Sequence, residues 1–353
     1  MDSITTTSYA VHFNENAYRS LNLHLESTDY SKVFVLVDEN THEYCLSKFL
    51  GAITADFSFE VIEIEAGEVH KTIDTCTGVW EALSELDADR KSLLINLGGG
   101  VVTDLGGFVA STYKRGIQFI NVPTTLLAMV DASVGGKTGV DLGALKNQIG
   151  VINQPMMVLV IADFLHTLEQ RQVQSGFAEM LKHGLIRNGE YWKTMKTIAT
   201  LENLGTSIYD SVSLKNDIVL QDPTEQHLRK ILNFGHTLGH AIESYFLESP
   251  DHELLLHGEA ISIGMILEAY LSHQITGLPK NELEDIKTTF LSRYEKITFS
   301  DADISKILAL LKFDKKNSHG NINFVLLKNI GETVIDVQVP QELFSQAFAY
   351  YKE

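Results

Sequence analysis

Residues 92–113 read SLLINLGGGVVTDLGGFVASTY. Ser92 to Leu97 is an apolar run of strand length, and Gly98, Gly99 and Gly100 follow it directly. An apolar helix is predicted from Val101 to Tyr113. A strand, a glycine turn and a helix N-terminus make an anion site, because backbone N–H groups and the helix dipole converge on one spot. The spacing is not the G-x-G-x-x-G of the common dinucleotide fingerprint, and a tight turn without a ligand is the alternative reading. Further on, Ser133-Val134-Gly135-Gly136-Lys137-Thr138-Gly139 is similar to a phosphate loop without its G-x-x-x-x-G-K-[ST] spacing, and Lys146-Asn147 follow after a short loop. Glycines let a backbone approach a ligand, and lysine brings a point charge to a phosphate. The two clusters together point to a nucleotide, a phosphorylated substrate, or both.

Outward from this stretch, strands and helices alternate. Strands are predicted at Val33–Val37, Phe59–Ile64, Leu93–Leu97, Phe119–Val122 and Met156–Ile161, with helices to about Phe49 and over Ile73–Leu86. Such spacing implies βαβ units and a parallel sheet. Beyond about residue 163 long helical patterns take over: Leu168–Ile186, Asn203–Leu220, Leu228–Phe246 and His257–Ile275. Strand-like segments at Asn323–Leu327 and Val334–Val339 precede a last helix. The expected organisation is an α/β nucleotide-binding domain over residues 1–163 and a mostly helical metal- and substrate-binding domain over 164–353. In such architectures ligands lie between domains, at the carboxyl ends of strands.

At 353 residues the chain can bury a large core. Its formal net charge of -18 argues against nucleic acid and against an anionic membrane surface as partners. Cys45 and Cys76 have no metal-type spacing and read as reduced structural thiols. No signal peptide or membrane-length apolar run is present, so a cytoplasmic location is expected.

In the helical half, Asn233-Phe234-Gly235-His236-Thr237-Leu238-Gly239-His240 sets two histidines four apart, on one helix face. His257-Gly258-Glu259 opens the next helix, and Ala178-Glu179-Met180 adds a carboxylate. Two histidines and a carboxylate are a common set for a catalytic divalent ion, and satisfied core histidines are the alternative. Lys182 falls on the face of Glu179, and Arg229 lies four before Asn233.

These blocks together resemble the 3-dehydroquinate synthase family of sugar-phosphate cyclases. The resemblance runs from about Val33 to Gly331 and is carried by GGGVVTDLGGFVASTYKRG, VPTTLLAMVDASVGGKTGVD, LKNQIG, FAEMLKHGLI, LRKILNFGHTLGHAIE, LHGEA and DKKN. It implies a Rossmann-like α/β domain, a helical domain, a homodimer, and NAD- and metal-dependent conversion of 3-deoxy-arabino-heptulosonate 7-phosphate to 3-dehydroquinate and phosphate. NAD would be recycled within each turnover.

By motif, the resemblance implies that Glu179, His236 and His257 hold Zn²⁺ or Co²⁺. His240 and Glu225 fall at proton-transfer positions. Arg115, Asp131, Lys137, Asn147, Lys182, Lys215, Arg229 and Asn233 fall at substrate positions, joined by Lys315 or Lys316. For NAD the matching positions are Asp38, Asn40, Glu68, Val69, His70, Lys71, Gly99, Gly100, Val101, Asp104, Thr124, Thr125, Lys146, Phe164, Leu165, His166 and Thr167. The chain departs from the family pattern at Thr103, often glycine, at Glu169, often proline, and at Pro223, which interrupts an acidic pair. The rival readings are a sister cyclase with another sugar phosphate and a metal-dependent alcohol dehydrogenase of the same fold. The density of lysines and the Arg115/Asn147 pair favour a substrate that carries a carboxylate.

Overall fold

The computed structural model describes residues 1–143, 145–201, 203–249, 252–311 and 322–353. These form two compact units, one of residues 1–173 with 203–220 and one of residues 174–202 with 221–353.

The first unit is built on a seven-stranded sheet. In chain order its strands are β1 Ile4–Thr5, β2 Ala10–Phe13, β3 Val33–Asp38, β4 Phe59–Ile64, β5 Leu93–Gly98 and β6 Gln118–Pro123, and after a separate hairpin, β7 Lys137–Leu142 and β8 Leu145–Ile152, comes β9 Met157–Val160. Their order across the sheet is β1-β2-β9-β6-β5-β3-β4, parallel except for the antiparallel edge strand β1. Val33 to Val37 and Leu93 to Leu97 are buried on both faces, the near-continuous apolar reading of a covered parallel sheet. Sequence periodicity did not single out β1, β2, the helix Glu15–Ser27 or the β7–β8 hairpin.

The helices Ile73–Glu85 and Gly100–Thr112 cover one face, where Phe34, Leu36, Val79, Leu94, Leu105 and Phe119 make the core. Each such fully buried side chain contributes roughly 1.5–3 kcal/mol. Gly106 sets how closely the second helix presses on the sheet: a Cβ there would stand 2.0 Å from Asn96 Oδ1 and 2.9 Å from Leu36 Cδ2. Asn96 is itself fully buried and donates to Asn121 Oδ1 across β5 and β6 at 2.9 Å.

β3 lies between β4, its successor in the chain, and β5, from which the chain proceeds the opposite way. That reversal is a topological switch point, and the carboxyl ends of β3 and β5 there are where open α/β sheets take their ligands.

The second unit is helical, with one antiparallel hairpin of β10 Asn323–Asn329 and β11 Glu332–Gln338. Its central helix, His257–Ile275, is apolar almost all round and accordingly buried along most of its length. It ends where Gly277, at φ 82°, returns its N–H to the Ser272 carbonyl. The expected single helix over Leu228–Phe246 is instead a 3₁₀ helix, Leu228–Asn233, followed by the α-helix His236–Glu248. Gly235 breaks it: its φ of 78° is left-handed, and a Cβ would meet Met265 Cγ at 2.3 Å. Arg229 and Asn233 therefore sit on a 3₁₀ turn and not on an α-helical face.

Candidate active site

In the first unit the glycine turn sits as expected, with Gly98 closing β5, Gly99 capping the helix Gly100–Thr112 and Val101 in its first turn. Gly98 O accepts the Thr124 N–H at 3.0 Å, which brings the β6 exit, Thr124 and Thr125, beside the turn. At the end of β3, Asp38 caps its own helix by accepting the Thr41 N–H at 2.8 Å, and Asn40 is exposed. In the 3₁₀ turn Glu68–His70, Val69 is exposed and His70 pairs with Glu65 at 2.8 Å. Phe164, Leu165, His166 and Thr167 share the 3₁₀ helix Ala162–Thr167, with only Phe164 buried.

Lys71 ties several nominated residues together. The residue is 3% exposed, and its ammonium donates to Asp104 Oδ2 at 2.6 Å and to Asn147 Oδ1 at 2.7 Å. Lys146 donates to Glu68 Oε1 at 2.7 Å and stands 3.8 Å from Asp141 Oδ2. Asp141 Oδ1 accepts the Asn147 backbone N–H at 2.6 Å, and its own N–H bonds the Lys71 carbonyl at 2.9 Å. Burial pushes the Asp104 carboxyl up from the usual range against the pull of Lys71. Asn147, nominated for substrate, thus joins residues nominated for NAD. Asp141 was missed by sequence reading, because the hairpin that brings it beside Lys146 was itself not found.

The glycines at 135 and 136 do not open a helix; the chain enters β7 at Lys137, so no helix dipole backs this second cluster. Lys215, on the helix Gly205–Gln221, donates to Asp131 Oδ1 at 2.7 Å and also to the Asp131 carbonyl. Arg115 is exposed at φ 70° and lines a cleft of about 530 Å³ that no other nominated residue lines.

In the second unit the nominated metal ligands converge from three helices. Glu179, fully buried on Gln170–Arg187, holds Oε1 3.5 Å from His236 Nε2 and 3.6 Å from His257 Nε2. Donor atoms each about 2.1 Å from a tetrahedral ion stand roughly 3.4 Å apart, so this set fits a zinc-like cation. His240 joins them, one donor atom from each of the three histidines lying within 4.8 Å of the others. His236 Nδ1 meets the Phe234 carbonyl at 3.0 Å and His257 Nδ1 meets Glu243 Oε2 at 3.2 Å, which leaves both Nε2 atoms directed at Glu179 Oε1. Burial pulls the His257 imidazolium down, but Glu243 and Glu179 outweigh it and push it up to about 10.

Lys182, one helical turn on, pairs with Glu179 Oε2 and is 1% exposed. Asp222 shapes the neighbouring loop: its carboxylate accepts the backbone N–H groups of Gln226, His227 and Arg229 at 3.0, 2.7 and 3.0 Å. Burial would raise its pKa, and these three donors instead hold it below the usual carboxylate range. Glu225 Oε1 accepts from Asn233 Nδ2 at 2.7 Å, and Arg229 donates to the Pro223 carbonyl at 2.7 Å. Lys315 and Lys316 lie outside the described residues.

Two more carboxylates went unmarked in the sequence. Glu243 follows His236 and His240 at helical spacing, a pattern that could have found it. Glu268, fully buried, accepts the N–H groups of Gly235, Thr237 and Leu238 at 2.7, 3.0 and 3.1 Å and so caps the helix that carries His236. Its trace in sequence is a carboxylate in the apolar interior of a helix whose other carboxylate, Glu259, lies in the first turn.

The α/β sheet with its glycine turn and the helical unit with its Glu-His-His donors define the class, a dehydroquinate synthase-like fold. Residues 61–175 match the model of the 3-dehydroquinate synthase N-terminal domain and residues 176–317 that of its C-terminal domain. A 3-dehydroquinate synthase of Parabacteroides distasonis is 42% identical over 334 residues, 93% of this chain and 94% of that protein. The structure of a 2-deoxy-scyllo-inosose synthase complexed with carbaglucose-6-phosphate, NAD⁺ and Co²⁺ superposes with a TM-score of 0.83 at 24% identity, covering 99% of both chains. That of a 2-epi-5-epi-valiolone synthase from Streptomyces hygroscopicus subsp. jinggangensis, with NAD⁺ and Zn²⁺ bound, gives 0.82 at 26% identity, covering 100% of this chain and 99% of that one. The chain belongs to the 3-dehydroquinate synthase family.

Proposed function

We infer that the protein converts 3-deoxy-arabino-heptulosonate 7-phosphate to 3-dehydroquinate and phosphate, as a carbon–oxygen lyase acting on a phosphate ester. The observation that carries this reading is the level of identity: the match to a 3-dehydroquinate synthase over nearly the whole chain stands well above the matches to the two sister cyclases. In this reading NAD, held by the α/β unit, supplies a reversible hydride acceptor, and Zn²⁺ or Co²⁺, held by Glu179, His236 and His257, supplies a Lewis acid for the reacting hydroxyl. The enzyme is read as a cytoplasmic homodimer.

The chain's own residues divide the remaining work. The β5–helix turn offers backbone N–H groups to the NAD pyrophosphate, and Asp38 and Asn40 flank the switch point where its ribose would lie. Lys71 keeps Asp104 and Asn147 in one arrangement, so that cofactor-side and substrate-side groups move together. Lys137, Lys182, Lys215 and Arg229 supply cations for a phosphate and a carboxylate, with Asn233 and Asp131 for hydroxyls, and in an acidic protein such cations focus potential on the substrate. His240 and Glu225 are the groups for proton transfer. Asn233 Nδ2 donates to Glu225 Oε1 and so fixes the direction of that carboxylate.

The test is phosphate release from 3-deoxy-arabino-heptulosonate 7-phosphate with catalytic NAD and Zn²⁺, before and after EDTA. Release that stops with chelator, returns with Zn²⁺ and leaves no net NADH is expected. Turnover of sedoheptulose 7-phosphate or glucose 6-phosphate instead would transfer the protein to a sister cyclase. NADH accumulating with a simple polyol would mean a dehydrogenase.

A further inference from the structure

The helix His236–Glu248 carries two imidazoles of the histidine cluster, His236 and His240, and on the same face a third ionisable group that takes no place in the reading above. Glu243 is 6% exposed, seven residues after His236, and its Oε2 faces Nδ1 of His257 at 3.2 Å. His257 belongs to a different helix, His257–Ile275, and is half-buried at its first position, where no preceding helical turn fixes its ring. A carboxylate accepts only, so the ring nitrogen it faces must donate. That choice assigns the proton to Nδ1 and leaves Nε2 as the nitrogen directed at Glu179 Oε1, 3.6 Å away. His236 reaches the same state by another route, through the Phe234 carbonyl.

We propose that Glu243 is a positioning residue for the metal centre: it fixes the tautomer and ring orientation of His257 and raises the basicity of its Nε2 toward a divalent cation. Outer partners of this kind are worth roughly 10- to 100-fold in metal affinity. The proposal rests on the reading that Glu179, His236 and His257 bind the ion, and it adds a residue that does not touch the ion or the substrate. A carboxylate carries charge and a backbone carbonyl does not, so Glu243 should raise the basicity of His257 more than the Phe234 carbonyl raises that of His236.

The experiment is a Zn²⁺ titration of the full-length apoprotein against a chromophoric chelator, with Co²⁺ visible absorption as a second readout. Wild type is compared with Glu243→Ala, Glu243→Gln and the ligand variant His257→Ala. The wild type should take one equivalent of metal and His257→Ala should take it far more weakly. Failure of that contrast overturns the metal reading itself. With that contrast in place, Glu243→Ala should weaken Zn²⁺ roughly 100-fold and alter the Co²⁺ bands, and Glu243→Gln, whose amide oxygen still accepts from Nδ1–H, should recover about tenfold of the loss. Affinity of Glu243→Ala within about threefold of wild type, or no recovery in Glu243→Gln, overturns the role of Glu243. Should Glu243→Ala fail to fold, Glu243→Gln decides alone: an unchanged affinity and unchanged Co²⁺ bands overturn the proposal, because a purely structural carboxylate would leave both untouched.

Discussion

The glycine turn of residues 98–100 and the histidine cluster of residues 236, 240 and 257 are built in opposite ways. The first is nearly complete in one continuous stretch: strand, turn and helix follow one another, and the backbone itself supplies the donors. The second draws Glu179, His236 and His257 from three helices and depends on contacts between distant residues. A locally built site is protected by chain connectivity, so damage there should show as lost packing. A site assembled across helices should lose geometry and stability together.

The largest expected effect is at Glu268, the residue that joins two of those helices. Glu268→Ala strands three buried backbone N–H groups and removes the charge at a helix N-terminus. The expected cost is roughly 3–5 kcal/mol, read from urea unfolding, with Zn²⁺ affinity falling in parallel. Unchanged metal affinity in a destabilised but folded variant would erase the distinction between the two regions.

A smaller effect is expected at Gly106, on the local side of the comparison. A Cβ there would lie 2.0 Å from Asn96 Oδ1, so Gly106→Ala must displace a buried side chain or lift the helix off the sheet. The expected loss is about 2–3 kcal/mol, with Zn²⁺ affinity unaltered. A metal defect in this variant would show that the sheet unit's packing is felt at the histidines.

The last test sharpens the account of the loop that leads into His257. Asp303 accepts from Tyr245 at 2.7 Å and lies 3.5 Å from His252 Nε2, and although burial would raise it, these partners and Ser300 hold its carboxyl down to about 2. Its folded pKa is below its unfolded one, so its contribution is complete above about pH 4 and disappears as pH falls toward 2. That contribution is roughly 2 kcal/mol at most. Comparing urea midpoints at pH 5 and pH 2.5, the wild type should lose more stability on acidification than Asp303→Asn. Parallel losses would mean that Asp303 is not a stability determinant.

Much of this was legible in the chain. Periodicity placed β3, β4, β5, β6 and β9 and most long helices, because a two-sided buried strand and an apolar helix each leave a regular trace. It failed at Leu228–Phe246, where apolar periodicity continues through Gly235 although the backbone does not. It also passed over the β7–β8 hairpin, whose strand Leu145–Ile152 is largely exposed and so carries little apolar alternation. The family resemblance nominated Glu179, His236 and His257, and the structure brings both imidazoles within 3.6 Å of one Glu179 carboxylate oxygen.

Chain order was enough for the local pieces: a glycine turn opening a helix after a buried strand, two histidines one turn apart, and a family resemblance spread along the chain. Those depend on neighbours in order, and order is what a sequence states. Tertiary structure alone decided that Lys71 links Asp104 to Asn147, that Glu268 caps the helix of His236, and that Glu243 faces His257. Each is a hydrogen bond between groups on separate elements, and its energy exists only once packing has brought donor and acceptor within about 3 Å of one another.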